Sequence, residues 1–148
     1  MARIRFKYAP ARYRTGKYDR AKIPAIPVIL YGTKQKVSIS ALVDSGADFS
    51  LLNKEIADLI GVGYFDEEKD KVGGIGGEVE VRRGKIEFRI TDGRNSFRQA
   101  KLHIAVPAEN TAFGEALILG RKDFFERYVI EFREKSEDLS IKEITERT

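Results

Sequence analysis

The chain has 148 residues, which is enough for one domain built around a single hydrophobic core. It contains no cysteine and one histidine, which excludes disulfides and argues against zinc sites of the usual kind. Its apolar runs are too short to span a membrane, and its first residues lack the apolar core of a secretory signal. We therefore expect a soluble, cytoplasmic protein that needs neither a metal nor a cofactor.

The first 22 residues carry most of the positive charge. They hold eight basic side chains and one acidic one, a net charge of +7, whereas the whole chain carries +4. Phe6, Tyr8, Tyr13 and Tyr18 are interleaved with the basic residues. Such a segment can bind phosphate and stack on bases, so nucleic acid is one conceivable partner. The favoured interpretation is a solvated arm or edge segment over 1–22, followed by one domain over 23–148.

Short strands dominate the rest of the chain. Ile26–Tyr31 and Lys36–Val43 form a predicted hairpin, and Asn53 is a good N-cap for a helix over Lys54–Ile60 that Gly61 would end. The further predicted elements are the strands Glu78–Ile90 (with a bulge near Arg83-Gly84), Ser96–Val106 and Leu117–Gly120, a short helix Arg121–Arg127, and closing strands Tyr128–Arg133 and Leu139–Ile144. This order predicts a mostly β fold, a small closed or nearly closed barrel with one or two short helices. His103 is interpreted as an ordinary barrel side chain.

In the segment ALVDSGAD, an apolar predicted strand ends at a carboxylate. Asp44 follows Val37–Val43, and a tight turn at such a strand end would hold its side chain rigidly. Gly46 lets the backbone turn and lets another chain approach closely, and Ser45 can fix the turn by hydrogen bonds. Asp-Ser-Gly is also a common turn composition, so the triplet alone is a weak indication of function.

Three segments in order resemble the retroviral-type (retropepsin-like) aspartic proteases. ALVDSGADFSLL is similar to the segment that carries the catalytic Asp-Ser/Thr-Gly of that family. GGIGG, at 73–77, resembles the tip of the family's flap hairpin, and LILGRKDFF, at 117–125, resembles its second apolar strand and following helix. The resemblance implies an acid-protease-type barrel that supplies half an active site per chain.

A second carboxylate is needed for the chemistry that this resemblance implies. One aspartate acts as general base on a water while the other, protonated, polarises the peptide carbonyl. The chain has one Asp-Ser-Gly and is too short for the duplicated, two-lobed form, and Asp48 sits in a loop leading away from Asp44. A homodimer would place Asp44 against its copy across a twofold axis.

The resemblance also assigns roles to residues around Asp44. Ser45 would lock the two loops of the dyad together, and the Gly46 carbonyl would accept a hydrogen bond from substrate. Asp48 would hold the peptide backbone and pair with Arg121 in a bidentate, partly buried ion pair. The alternative for Arg121 is an ordinary surface position on the helix that follows. The remaining assigned positions are Ala47 and Gly73, Gly74, Ile75, Gly76 and Gly77 for substrate binding, and Gly120 as a supporting residue.

The glycine-rich segment has alternative interpretations. Glycine loops also cradle phosphates, but GGIGGEVEVRR lacks the GxxxxGK[ST] pattern and continues as a strand. A purely structural turn is the other alternative, whereas a mobile hairpin tip that closes over substrate fits the resemblance.

The whole pattern predicts a homodimeric aspartic endopeptidase that cleaves extended peptide or unfolded protein. The alternative is a catalytically weak or inactive module that keeps the fold for binding or dimerisation. Retroviral members of the family interleave both termini in the dimer. The long basic N-terminus and charged C-terminus here favour an interface built differently, from the closing C-terminal strands.

Overall fold

The structure is a computed structural model that describes residues 3–11, 21–65, 70–74, 77–108 and 115–144. Its elements are β1 (Arg3–Lys7), β2 (Ala9–Pro10), β3 (Lys22–Ile23), β4 (Ala25–Tyr31), β5 (Lys36–Val43), β6 (Ser50–Leu52), α1 (Lys54–Ile60), β7 (Gly63–Tyr64), β8 (Asp70–Gly74), β9 (Gly77–Ile90), β10 (Ala100–Pro107), β11 (Leu117–Leu119), a helical turn (Arg121–Phe125), β12 (Tyr128–Arg133) and β13 (Asp138–Glu143). None of the helices within these ranges is long and apolar enough to cross a membrane.

Six strands close into a barrel, which confirms the predicted fold class. The ring runs β10-β6-β11-β5-β4-β9 and closes where β9 pairs with β10. Most neighbours are antiparallel, but β11 runs parallel to β5, and β10 runs parallel to β6. Because β5 and β11 are parallel neighbours, their carboxyl ends lie side by side at one edge of the barrel.

Apolar side chains from every barrel strand fill the interior. The fully buried set includes Ile26, Val28, Leu30, Leu52, Phe88, Ile90, Leu102, Leu117 and Leu119. Phe124, from the helical turn, packs its ring against Phe88 and Tyr128, with centroids 6.3 and 5.3 Å apart. Burial on this scale is the dominant stabilising contribution to a domain of this size.

The described part of the N-terminal segment includes a strand. β1 pairs antiparallel with β13, which in turn pairs with β12, so a three-stranded sheet joins the two ends of the chain. Ile4, Phe6 and Tyr8 are buried while the basic residues between them are exposed. Burial and a hydrogen bond to Glu134 raise the pKa of Tyr8 to about 12, so the hydroxyl stays neutral at any ordinary pH. Residues 12–20, which hold four of the eight basic side chains, lie outside the described ranges.

Helix α1 forms as its sequence predicts. The Asn53 side chain accepts a hydrogen bond from Ile56 N at 2.8 Å, and Gly61 ends the helix with a φ of 82°. One other local prediction was wrong. The pairing of β9 with β10 runs without a shift from Val81 to Phe88, so there is no bulge at Arg83-Gly84. The predicted helix from Arg121 is present but irregular, because Lys122 is extended and Asp123 has a φ of 66°.

Gly84 explains the misleading pattern in β9. A Cβ there would lie 2.8 Å from Gly63 O and from Val62 Cγ1, so the paired strand β7 and the residue before it pack too closely for anything but glycine. The phase of the apolar residues changes at this point because Val81, beyond this contact, is buried on the opposite face from Ile86.

Candidate active site

Asp44 lies directly after β5, half-buried, at the edge of the barrel where β11 also ends. Its backbone N–H donates to Leu119 O at 3.0 Å, which fixes the end of the strand against its neighbour. Its side-chain Oδ1 accepts the Gly46 N–H at 2.9 Å, and its carbonyl accepts Ala47 N at 3.2 Å. These bonds make a tight turn that holds the carboxylate in one orientation, as the sequence predicts for a strand ending in Asp-Ser-Gly.

Backbone hydrogen bonds tie the loop after Asp44 to the residues that follow β11. Arg121 N donates to Ala47 O at 2.8 Å, and Lys122 N donates to Asp48 O at 2.9 Å. The Gly120 N–H donates to the buried Ser50 hydroxyl at 3.1 Å. The two segments that most resemble the aspartic proteases are therefore bonded to each other, although about 70 residues separate them.

Asp48 and Arg121 are brought together, but not as the predicted bidentate, partly buried pair. One Arg121 nitrogen lies 3.7 Å from one Asp48 oxygen, and the two side chains are 68% and 82% exposed. The backbone bonds already join these residues, so the side chains extend outward along a groove of about 400 Å³. Lys122, Phe125 and Glu126 complete its lining. An exposed ion pair of this length contributes little to stability, so its charges are available for other contacts.

Gly73, Gly74 and Gly77 lie at the described end of a β-hairpin. β8 and β9 pair from Asp70 with Val81 to Gly74 with Gly77, and Ile75 and Gly76 lie outside the described ranges. Gly77 has a φ of 112°, which strongly favours glycine. Gly73 has an ordinary φ, and a Cβ there would meet no atom of the described residues within 4 Å. The described neighbours therefore do not require glycine at position 73.

Two structural contacts were missed from the sequence. Ser50 was assigned no role, yet its hydroxyl is the acceptor that anchors Gly120. His103 was interpreted as an ordinary barrel residue, but its Nδ1 lies 2.6 Å from Asp123 Oδ2, which also accepts the His103 N–H at 2.7 Å. A polar residue inside an apolar run could have indicated the Ser50 contact, whereas the His103 contact joins residues 20 apart and has no local pattern.

The chain has one aspartate, Asp44, in the rigid turn that follows β5. In the part of the chain that the structure describes, Asp44 accepts one side-chain hydrogen bond and forms no ion pair. Across the same ranges, no cluster of three or more His, Asp or Glu side chains could hold a metal ion. A lone carboxylate at a barrel edge can act as a general base on water, but peptide hydrolysis of the acid type needs a second acid beside it.

Two solved structures share this fold. The EIAV protease in complex with the inhibitor HBY-793 aligns with a TM-score of 0.51 and 23% identity, over 76% of this chain and 93% of that one. A retropepsin-like aspartic protease from Rickettsia conorii aligns with a TM-score of 0.51 and 15% identity, over 95% of this chain and 91% of that one. At these identities the likeness shows the fold. No curated protein gives a significant sequence match.

The family of this chain is shown by a sequence model, because structural likeness at low identity shows only the fold. The model for the gag-polyprotein putative aspartyl proteases matches residues 32–127. This range includes Asp44 and its turn, the glycine-rich hairpin and the Gly120-Arg121 segment. The chain therefore belongs to the gag-polyprotein putative aspartyl protease family, with a retropepsin-like fold.

Proposed function

We propose that the protein is a homodimeric aspartic endopeptidase that hydrolyses peptide bonds in extended polypeptide. The observation that carries this proposal is the fixed carboxylate of Asp44, held in a turn that is bonded to the end of β11. One chain supplies one such group. A second copy related by a twofold axis would supply the other, since an isologous interface brings identical residues together on the axis.

The dyad would share a single proton. Two carboxylates a few ångströms apart cannot both ionise cheaply, so one remains protonated where the other is charged. The ionised member removes a proton from water as it attacks the peptide carbonyl, and the protonated member stabilises the developing charge on the carbonyl oxygen. Ser45, which is exposed in the turn, is proposed to bond to the partner loop and fix the distance between the two acids.

Substrate would bind as a strand between the loop and the glycine-rich hairpin. The Gly46 carbonyl, Ala47 and Asp48 would contact its backbone from below, and residues 73–77 would cover it from above. Gly73 supports this arrangement, because no described atom within 4 Å of its Cβ position blocks close approach to its backbone. The exposed Asp48–Arg121 pair beside its groove would meet the polar backbone of a peptide. The cytoplasmic location remains a prediction from composition.

Asp44→Asn tests the assignment. We expect kcat for cleavage of an unfolded protein at acidic pH to fall by about a hundred- to ten-thousand-fold, because the amide cannot act as a general base. Pepstatin should inhibit the wild-type activity, and thermal unfolding of the variant should match the wild type. Cleavage at the wild-type rate in this variant would refute the enzyme assignment. A folded wild type without any cleavage would instead favour the binding or dimerisation module.

A further inference from the structure

Arg83 connects both strands of the glycine-rich hairpin. It lies on β9, below the tip, and its Nε donates to Asp70 Oδ2 at 2.7 Å. Asp70 is the first residue of β8. The hydrogen bond from Arg83, followed by one from Lys71 N, lowers the pKa of Asp70 from its usual range. The contact is therefore present above the ordinary carboxyl pKa and is lost only as the pH falls through the lowered value, so it persists under mildly acidic conditions.

The same guanidinium reaches the loop that follows Asp44. Its Cζ lies 4.3 Å from the centroid of the Phe49 ring, the distance of a cation–π contact. Phe49 is part of the rigid region of the site, because its carbonyl is packed against the position where Gly120 lacks a side chain. Arg83 thus bonds to the hairpin through Asp70 and rests on the site loop through Phe49.

This contact lies just below the point where the hairpin leaves the barrel. Backbone bonds hold β9 to β10 from Val81 to Phe88, and Glu80 O accepts Ala108 N, so the hairpin leaves the barrel beyond Glu80. Gly77 lies three residues farther along, which corresponds to about 10 Å of extended strand. A tilt of about 10° of this part would therefore move Gly77 by about 2 Å, which is enough to make or break a hydrogen bond to a substrate backbone. Both contacts are partly exposed, with Arg83 at 39% and Asp70 at 55%, and contacts of this kind are weak. They can set the rest position of the hairpin and still allow it to open.

We propose that Arg83 is a positioning residue that clamps the stem of the hairpin to the loop of Asp44 and so sets the distance of Gly73 and Gly77 from the site. This inference rests on the proposed function for its effect on catalysis, but the clamp itself is a property of the fold. The Arg83–Phe49 contact would then influence substrate binding, although Arg83 does not touch the reacting atoms.

Hydrogen exchange tests the clamp independently of any activity. In Arg83→Gln we expect amides 77–82 to exchange about three- to tenfold faster than in the wild type, while amides 102–106 in β10 keep their rates. Phe49→Leu removes the ring from the other side of the contact, keeps an apolar side chain, and should give the same result. Arg89→Gln is the matched control, since Arg89 lies on the same strand but over Tyr31, with Cζ 5.8 Å from the ring centroid.

Steady-state kinetics then test the effect of the clamp on substrate binding. We expect Arg83→Gln to raise KM several-fold with kcat within about twofold of the wild type, and Arg89→Gln to change neither. Unchanged exchange of 77–82 in both clamp variants, or an equal rise throughout the molecule, would overturn the proposal. Faster exchange of the hairpin in a protein that shows no cleavage would support the clamp and count against the proposed function, so the two failures are distinguishable.

Discussion

Gly120 shows how little space separates the loop of Asp44 from the strand beside it. A side chain at this position would lie 2.3 Å from Phe49 O and 2.8 Å from Ala47 O. The same residue donates its N–H to Ser50 Oγ. The missing Cβ is therefore what allows the two site segments to form their backbone bonds, and the glycine is explained by packing within the chain.

Gly120→Ala should destabilise the protein by about 2 kcal/mol, because the backbone must shift to admit one methyl group. Gly73→Ala is the matched control for stability, since a Cβ there meets no described atom within 4 Å and its cost should stay within about 0.5 kcal/mol. Urea unfolding of the two variants provides the comparison. Equal losses at both positions would show that glycine flexibility, and not close packing, decides the effect.

Among the elements, the helical turn after Gly120 departs most from regular structure. Its extended Lys122 and its positive φ at Asp123 turn the Asp123 side chain back toward β10. There the carboxylate binds the His103 backbone and ring, while the next residue, Phe124, is fully buried in the core. The irregular geometry thus lets one short turn both anchor in the barrel and support the loop of Asp44.

Asp123→Ala should lower the free energy of unfolding by about 1–3 kcal/mol, because the His103 N–H loses its acceptor and alanine disfavours a positive φ. Asp123→Asn keeps an acceptor oxygen and tolerates a positive φ, so it should lose less than half as much. Chemical denaturation measures both variants. If asparagine were as damaging as alanine, the charge facing His103 would matter more than the hydrogen bond.

At the scale of the whole molecule, a closed barrel and a separate three-stranded sheet share one core. The barrel ring carries the Asp44 turn, and the sheet joins β1 to β12 and β13. In the described ranges β1 and β12 are the two edges of that sheet, and Val129 on β12 is 56% exposed. The proposed dimer therefore has an apolar edge strand available at the C-terminal end of the chain.

Mixing two kinds of subunit tests whether the site is shared. Equal amounts of wild type and Asp44→Asn are unfolded together and refolded. The mixture should retain about a quarter of the activity of wild type at the same total concentration, because mixed dimers hold one acid and one amide. Sedimentation should give the same dimer for both pure proteins and for the mixture. Retention of about half the activity would mean that each chain carries a complete site, which contradicts the dyad.

Local patterns in the sequence predicted much of this fold. The apolar run before Asp44 and the cap at Asn53 depend on neighbours within a few residues, so a single sequence contains their signal. The three family-like segments indicated the candidate site because their residue types are tied to its backbone geometry. The alternation of Arg3, Ile4, Arg5 and Phe6 has the period of two that is typical of a strand, and these residues form β1. The boundary at residue 22 remains a prediction.

Other features depend on partners that are distant in sequence. The phase change in β9 was interpreted as a bulge because the close packing of β7 against Gly84 has no local signal. The His103–Asp123 contact and the irregular turn that creates it also have no local signal in the sequence. The exposed Asp48–Arg121 pair differed from expectation because backbone bonds, which residue identity does not reveal, already join the two segments.

The pairing of β1 with β13 has a consequence for how the protein is made. Arg3 lies opposite Lys142, so β1 finds its partner strand only after the whole chain between them has left the ribosome. Until then Ile4 and Phe6 have no strand to cover them, and they are exposed to chaperones or to other chains. Closure between such distant segments is slow, so completion of this sheet is the expected late step of folding.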